Sequence, residues 1–405
     1  MGFDCNQLRK DFPSLESVSK GKKPVYFDNA CVTLRPRQVV EAMNEYYMVH
    51  PSCHKRSVHK FGLKTTSAYE QAKKSVQRFI NAKSADEIVF TKNATESINL
   101  VANGINFLKG EVVLTSSLEH NSNFLPWQMI GRKKETVLRI FGLTEDLKFD
   151  QERFVALLKE GAKLVSIVHT SHITGYTFPI EDIIRLSHEH GALVLVDGAQ
   201  SIAHHSIDVQ KLDADFFAFS FHKMLGPSGM GCLYAKKKHL DNLEPLYIGG
   251  ETVDDVSANS FVLSKVPDRF EAGLQNYAGA SGVTAAIEYL TKTGLKEIRA
   301  HVSMLNRLMT DTIKSWPKVR IIGPQDPDLR SGIINFYVEG MDSGELSIIL
   351  DQTENIMTRS GVHCCHAGYK RHRLTPSLRV SLYAYNTEEE VRLFIETLRK
   401  IIQFF

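Results

Sequence analysis

"ADFFAFSFHKMLGPSG" (residues 214–229) runs from an almost wholly apolar stretch into a Gly- and Pro-rich turn, with Lys223 at the junction. If the strand simply ends at the surface, the ammonium of Lys223 reaches water along its own aliphatic stem. If the lysine is held partly out of water, its amine becomes available as a nucleophile. The residues sharing its level in the fold decide between these.

Working outward, the middle of the chain alternates short β-rich runs with helical patterns. The expected strands are "EIVFTK", "EVVLTS", "TVLRIF", "LVSIVHTS", "ALVLVDGA", "FFAFSF" and "GCLYAK". Between two of them, "IEDIIRLSHEHG" places Ile180, Ile183, Ile184 and Leu186 at helical spacing and closes on Gly191. Near-continuous Val/Ile/Leu strands separated by helices predict an α/β fold with a mostly parallel sheet covered on both faces. Ligands in such sheets sit at the carboxyl ends of the strands, so "HTSH", "DGAQ" and "SFHK" belong to one rim. We expect an N-terminal segment (1–20) packing with a small domain, a large domain over 21–285, and a smaller α+β domain over 286–405. The last is expected to end in the helix "TEEEVRLFIETLRKII", capped by Thr387.

Composition narrows the function classes. The chain has 405 residues, 43% hydrophobic and 23% charged, with a net charge of +3, so no nucleic-acid or membrane surface is expected. Its apolar runs are strand-sized. No apolar signal core opens the sequence, and six scattered cysteines suit a reducing, cytoplasmic setting.

On the rim, Asp197 ends "LVLVDGAQ", where it is either a solvated loop residue or a buried acid with a cationic partner. An acid and a lysine on neighbouring strand ends suit a cofactor with an aldehyde and a basic ring nitrogen. Pyridoxal 5'-phosphate has both. Asn93, Ala94 and Thr95 open a helix after a strand, as an anion cradle or an ordinary cap. The sequon they form is discounted, since nothing suggests secretion. His120, just after "VVLTS", either stacks on a flat ring or caps a turn.

Further stretches join these: "YFDNA", "KNATESINLVANG", "EHNSNFLPW", "FSFHKMLGPSGMGCLY", "GGE", "RFEAGLQN", "RSGVHC" and "LRVSLYAYNTEEEV". Together they make the chain resemble the class V aminotransferase family of fold type I pyridoxal-phosphate enzymes, and within it the cysteine desulfurases of the SufS/CsdA-like group. The resemblance spans roughly residues 25 to 395. It implies a large domain with a mostly parallel seven-stranded sheet plus a smaller α+β domain. It further implies that Lys223 carries the Schiff base, Asp197 pairs with the ring nitrogen, Gln200 bonds the ring hydroxyl and His120 stacks on the ring. Ala94, Thr95, Ser220 and His222 would hold the phosphate. Arg379 would take the substrate carboxylate, with Arg359, His172 and Asn123 also on the substrate side.

In "RSGVHCCHAG" the resemblance makes Cys364 the sulfur acceptor, with Arg359 and His363 expected to stabilise its thiolate. Adjacent cysteines do not match zinc spacings, and a vicinal disulfide is geometrically disfavoured. Register with the motif, not physics, selects Cys364 over Cys365. The implied reaction converts L-cysteine to L-alanine and an enzyme persulfide, in a homodimer, with a possible acceptor protein and a role in iron–sulfur cluster assembly. Selenocysteine lyase, another lyase or aminotransferase of the fold, and a catalytically weak binding partner are the alternatives.

Three positions depart from the pattern. Leu274 replaces a threonine that reaches the neighbouring subunit's cofactor phosphate, a hydrogen bond worth roughly 1.5–3 kcal/mol. His172 replaces an asparagine near the ring hydroxyl and substrate, and an imidazole is able to titrate near neutrality there and so alter activity or its pH profile. Cys31 replaces an alanine, bringing a second thiol or only a small apolar filler.

Overall fold

The computed structural model describes residues 3–404. Seven strands form the larger sheet: β1 (Ile88–Thr91), β2 (Val112–Ser116), β3 (Val137–Phe141), β4 (Leu164–Val168), β5 (Leu193–Asp197), β6 (Phe216–Ser220) and β7 (Gly231–Ala235). Their order is β1-β7-β6-β5-β4-β2-β3. Only β7 runs antiparallel to its neighbours. Every residue of β4, β6 and β7 is buried, which is why their sequences lack polar alternation: helices cover both faces. One covering helix, Ile180–Glu189, buries the expected stripe of Ile180, Ile183, Ile184 and Leu186.

A second sheet is antiparallel, with order β8-β9-β11-β10, from β8 (Val319–Ile321), β9 (Ile333–Val338), β10 (Arg359–Gly361) and β11 (Ser377–Ser381). The helix Glu388–Phe404 is capped reciprocally: the Thr387 hydroxyl accepts the Glu390 N–H at 3.2 Å, and the Glu390 carboxylate accepts the Thr387 N–H at 3.1 Å. Among the described residues, no helix is long and apolar enough to cross a membrane.

Position 285 falls inside an unbroken helix, Tyr277–Thr293, whose buried face packs on the helices Arg37–Val49 and Lys60–Phe79 of the larger unit. The smaller unit is built on the antiparallel sheet and the helices around it. The N-terminal segment reaches it through an Arg9–Glu390 ion pair at 2.7 Å and the Phe12 ring against Tyr385. Past residue 20 the chain still belongs partly to it, since Val25–Tyr26 pairs in parallel with Ile356–Met357.

Candidate active site

Lys223 ends a single 3-10 turn, Phe221–Lys223, directly after β6. Phe221 is fully buried and its ring packs on Phe219 and Phe90, so the turn that carries the lysine is anchored from below. Burial lowers the basicity of the amine, with Asp197 opposing and Arg379 adding to the effect. Asp197 closes the neighbouring parallel strand β5, and its Oδ1 accepts the Ala199 N–H at 3.0 Å. Burial raises its carboxyl above the usual range, against the pull of that N–H and of Lys223. The glycine that follows is required by packing: a Cβ at Gly198 would lie 2.1 Å from the Phe217 ring.

The anion cradle forms where β1 ends. Asn93 caps the helix Ala94–Gly104 by accepting the Glu96 N–H, and the Ala94 N–H donates to Ser220 Oγ at 2.8 Å. Thr95 and Ser122 share a hydroxyl contact at 2.7 Å. Gly231 lets β7 press on this turn, since a Cβ there would stand 2.4 Å from Asn93 Cα. His222 completes the group; burial pushes its imidazole down to about 4 and keeps it neutral.

His120 accepts the Ser122 N–H at Nδ1, which leaves the proton on Nε2. Its ring lies 4.8 Å from that of His172 at an interplanar angle of 66°. Burial pushes His120 down to about 3, with Lys223, Arg379 and Arg359 adding to it. His172 is buried too and donates from Nε2 to the His363 carbonyl at 2.9 Å. Burial, then His120 and Arg379, hold it well below the ordinary range. The expectation of titration near neutrality is therefore corrected: no acid faces this imidazole to favour its charged form.

Asn123 also departs from expectation. It is fully buried, its amide donating to Glu119 at 2.7 Å and accepting the Ser166 hydroxyl at 2.6 Å. It does not line the cavity, because the short turn Asn121–Asn123 rotates it inward. Burial pushes Glu119 up to about 8, opposed by the hydrogen bonds its carboxyl accepts from Ser116 and Asn123.

From the smaller unit come Arg359, His363, Cys364 and Arg379. Arg359 and Arg379 stand opposite each other on β10 and β11. Such like-charged neighbours repel. Part of the repulsion is offset by Asp28, whose Oδ1 pairs with Arg379 Nη2 at 3.2 Å; Arg379 Nη1 donates to the His172 carbonyl, while its buried Nε has no partner. Asp28 was missed in the sequence, although "YFDNA" places an acid directly after a short strand. Arg359 is not directed at Cys364 as expected: its Nη1 donates to Cys31 Sγ at 2.9 Å. His363 is pushed down to about 3 by burial and is neutral, so it offers a thiolate no charge.

The two vicinal cysteines are sorted by the backbone. His363 and Cys364 both adopt left-handed φ values, 48° and 58°, and the Asn121 N–H fixes the Cys364 carbonyl at 2.7 Å. Cys364 lines the cavity, whereas Cys365 is 1% exposed, its thiol pushed up to about 12 by burial. The flanking histidines have separate partners, Ser377 for His363 and Asn121 for His366.

These groups enclose one cavity of about 280 Å³ at the carboxyl ends of β4, β5 and β6, shared by Lys223, Asp197, His120, His172, Gln200, Cys31, Cys364, Arg359 and Arg379. Gln200 donates to the Ala30 carbonyl at 2.8 Å and so ties the Cys31 segment to the wall. The donor set fits pyridoxal phosphate: a buried lysine, an acid with one oxygen engaged, a helix start with hydroxyls for the phosphate, and an unsatisfied guanidinium nitrogen.

Comparison with known proteins agrees. Residues 25–394 match the family model described as aminotransferase class-V. A Synechocystis protein named a probable cysteine desulfurase is 39% identical over 98% of this chain and 96% of its own length; one from Pyrococcus abyssi is 38% identical over 98% and 97%. Among solved structures, the apo cysteine desulfurase of Thermococcus onnurineus superposes with a TM-score of 0.95 at 36% identity, covering 100% of this chain and 99% of that one. The Escherichia coli cysteine desulfurase CsdA gives 0.90 at 30% identity, covering 100% of both chains. With that match spanning nearly its whole length, the chain belongs to the class-V aminotransferase family, alongside relatives named as cysteine desulfurases.

Proposed function

We propose that the protein is a pyridoxal-phosphate-dependent cysteine desulfurase that converts L-cysteine to L-alanine and retains the sulfur as a persulfide on Cys364. The observation that carries this reading is the thiol of Cys364 in the same cavity as Lys223, Asp197 and Arg379. An aminotransferase needs the last three but has no use for the thiol.

When bound, the cofactor supplies an electron sink for charge developing on the substrate. Lys223 would hold it covalently, Asp197 would face its ring nitrogen, and Ala94, Thr95, Ser220 and His222 would hold its phosphate. The remaining work falls to the chain. Arg379 binds the substrate carboxylate through a guanidinium already oriented by Asp28 and the His172 carbonyl. Lys223 Nζ, its basicity lowered by burial, takes up and returns the Cα proton. Neutral His120 presents Nε2–H to the cavity without adding charge. The Cys364 thiolate attacks the substrate sulfur; an S–S bond forms, the Cβ–S bond breaks with its electron pair left on Cβ, and protonation there gives alanine.

A homodimer is part of the proposal. Tyr247, Ile248 and Leu274 are each more than half exposed around a hollow of about 690 Å³ beside the cradle helix. That apolar rim suits a second copy. Six free cysteines suit a reducing, cytoplasmic setting, and a protein or small-thiol acceptor would carry sulfur onward, as for iron–sulfur cluster assembly.

The test is the absorption spectrum of the holoenzyme, followed by L-cysteine with alanine and enzyme-bound sulfane sulfur measured together. Equal first-turnover amounts of both are expected. A keto acid in place of alanine would overturn the reading, and selenocysteine run in parallel measures the preference.

A further inference from the structure

The proposed reaction uses one thiol, yet the cavity holds two. Cys31 lines it with Cys364 and is set there firmly. The Cys31 N–H donates to Asp28 O at 3.1 Å, the preceding Ala30 N–H donates to Ser381 Oγ at 2.9 Å, and the Ala30 carbonyl accepts from Gln200 at 2.8 Å. Two residues on, the Thr33 N–H donates to the His222 carbonyl at 3.0 Å. The segment is thus clamped between both units of the fold. Arg359 Nη1 contacts Cys31 Sγ at 2.9 Å, and Arg379 brings a further positive charge to the same cavity. Asp28 is the opposing charge, and it is engaged by Arg379. The nucleophilic form of any cysteine is its thiolate. Cys365 and Cys232 are buried away from the cavity, and Cys5 is bonded to the Asn386 carbonyl.

We propose that Cys31 is a second sulfur-carrying site, loaded from Cys364. This rests on the proposed desulfurase activity. The Cys31 thiolate attacks the terminal sulfur of the Cys364 persulfide; the new bond joins Cys31 Sγ to that sulfur, the old S–S bond breaks, and its electron pair leaves on Cys364 Sγ. The proton stays on the transferred sulfur. The exchange is redox-neutral and needs no co-reactant. Cys364 is then free to accept a second sulfur while the first waits on Cys31.

The test treats holoenzyme with L-cysteine without reductant, then desalts and maps sulfane sulfur on cysteine peptides by mass spectrometry. The expected result is sulfur on both Cys364 and Cys31, with a total approaching two per subunit. Cys31→Ala is expected to stop at one, on Cys364, and Cys364→Ala to leave Cys31 bare. Sulfur confined to Cys364 in the unaltered enzyme overturns this inference alone. So does sulfur reaching Cys31 in Cys364→Ala, or a Cys31–Cys364 disulfide formed with sulfide release. Absence of both alanine and sulfane sulfur overturns the underlying activity instead.

Discussion

Arg379→Lys isolates the carboxylate-binding role most cleanly. The guanidinium is 3% exposed and held by two hydrogen bonds, one to Asp28 and one to the His172 carbonyl, with Nε left unpaired. Lysine keeps the charge, and with it the partner of Asp28, but offers one compact ammonium in place of a planar fork. It can serve Asp28 or the substrate at short range, not both. The loss is one charge-assisted hydrogen bond to the substrate, about 1.5–3 kcal/mol. At about 1.4 kcal/mol per factor of ten, that is roughly a 10- to 150-fold rise in KM for L-cysteine. Substrate and transition state share the carboxylate contact, so kcat should change little. Steady-state alanine formation, with cofactor absorbance as a check on integrity, measures both constants. A fall in kcat with KM unchanged would refute the reasoning and place Arg379 with the reacting atoms.

Cys364→Ala should abolish sulfur release while the cofactor absorbance persists, and Cys365→Ala should leave the persulfide in place; the reverse outcome would move the acceptor by one residue. Acid stability follows from four buried neutral histidines, His120, His169, His204 and His363, each pushed down to about 3 by burial. Unfolded, each binds a proton below about 6.5, so stability is full above that pH and falls as pH drops toward 3. Calorimetry of the holoenzyme should show melting temperatures falling steeply below pH 6, and a flat profile would contradict the assigned burial. Leu274→Thr should slow cofactor loss on gel filtration by roughly tenfold or more if its hydroxyl bonds the partner's phosphate. No change in retention, with the dimer intact, would remove that contact.

Local patterning made the larger sheet legible. All seven strand runs formed, because an unbroken apolar run between turns has no better way to bury itself. Lys223 and Asp197 were readable because strand ends in a parallel sheet share one rim. What escaped depends on tertiary neighbours. Asn123 looked like a rim residue, yet one short turn directs it into the Glu119 and Ser166 network. The neutrality of His172 is set by burial against cationic neighbours, which no local pattern encodes. Arg359 was read as the partner of the nearby Cys364, while the fold gives it Cys31, 328 positions away. The break at 285 was drawn where composition changes, but the helix through it is bound to the larger unit on its buried face.

Asp28 and Cys31 sit near the start of the chain, and the groups that fix them, Arg379 and Ser381, come near its end. The seven strands of the larger sheet can pair without those two residues, which belong to the other sheet. The larger sheet alone therefore holds the lysine and its acid but not the wall that Arg379 and Ser381 build around them. The finished pocket is thus a property of the whole folded sequence rather than of the parallel sheet alone.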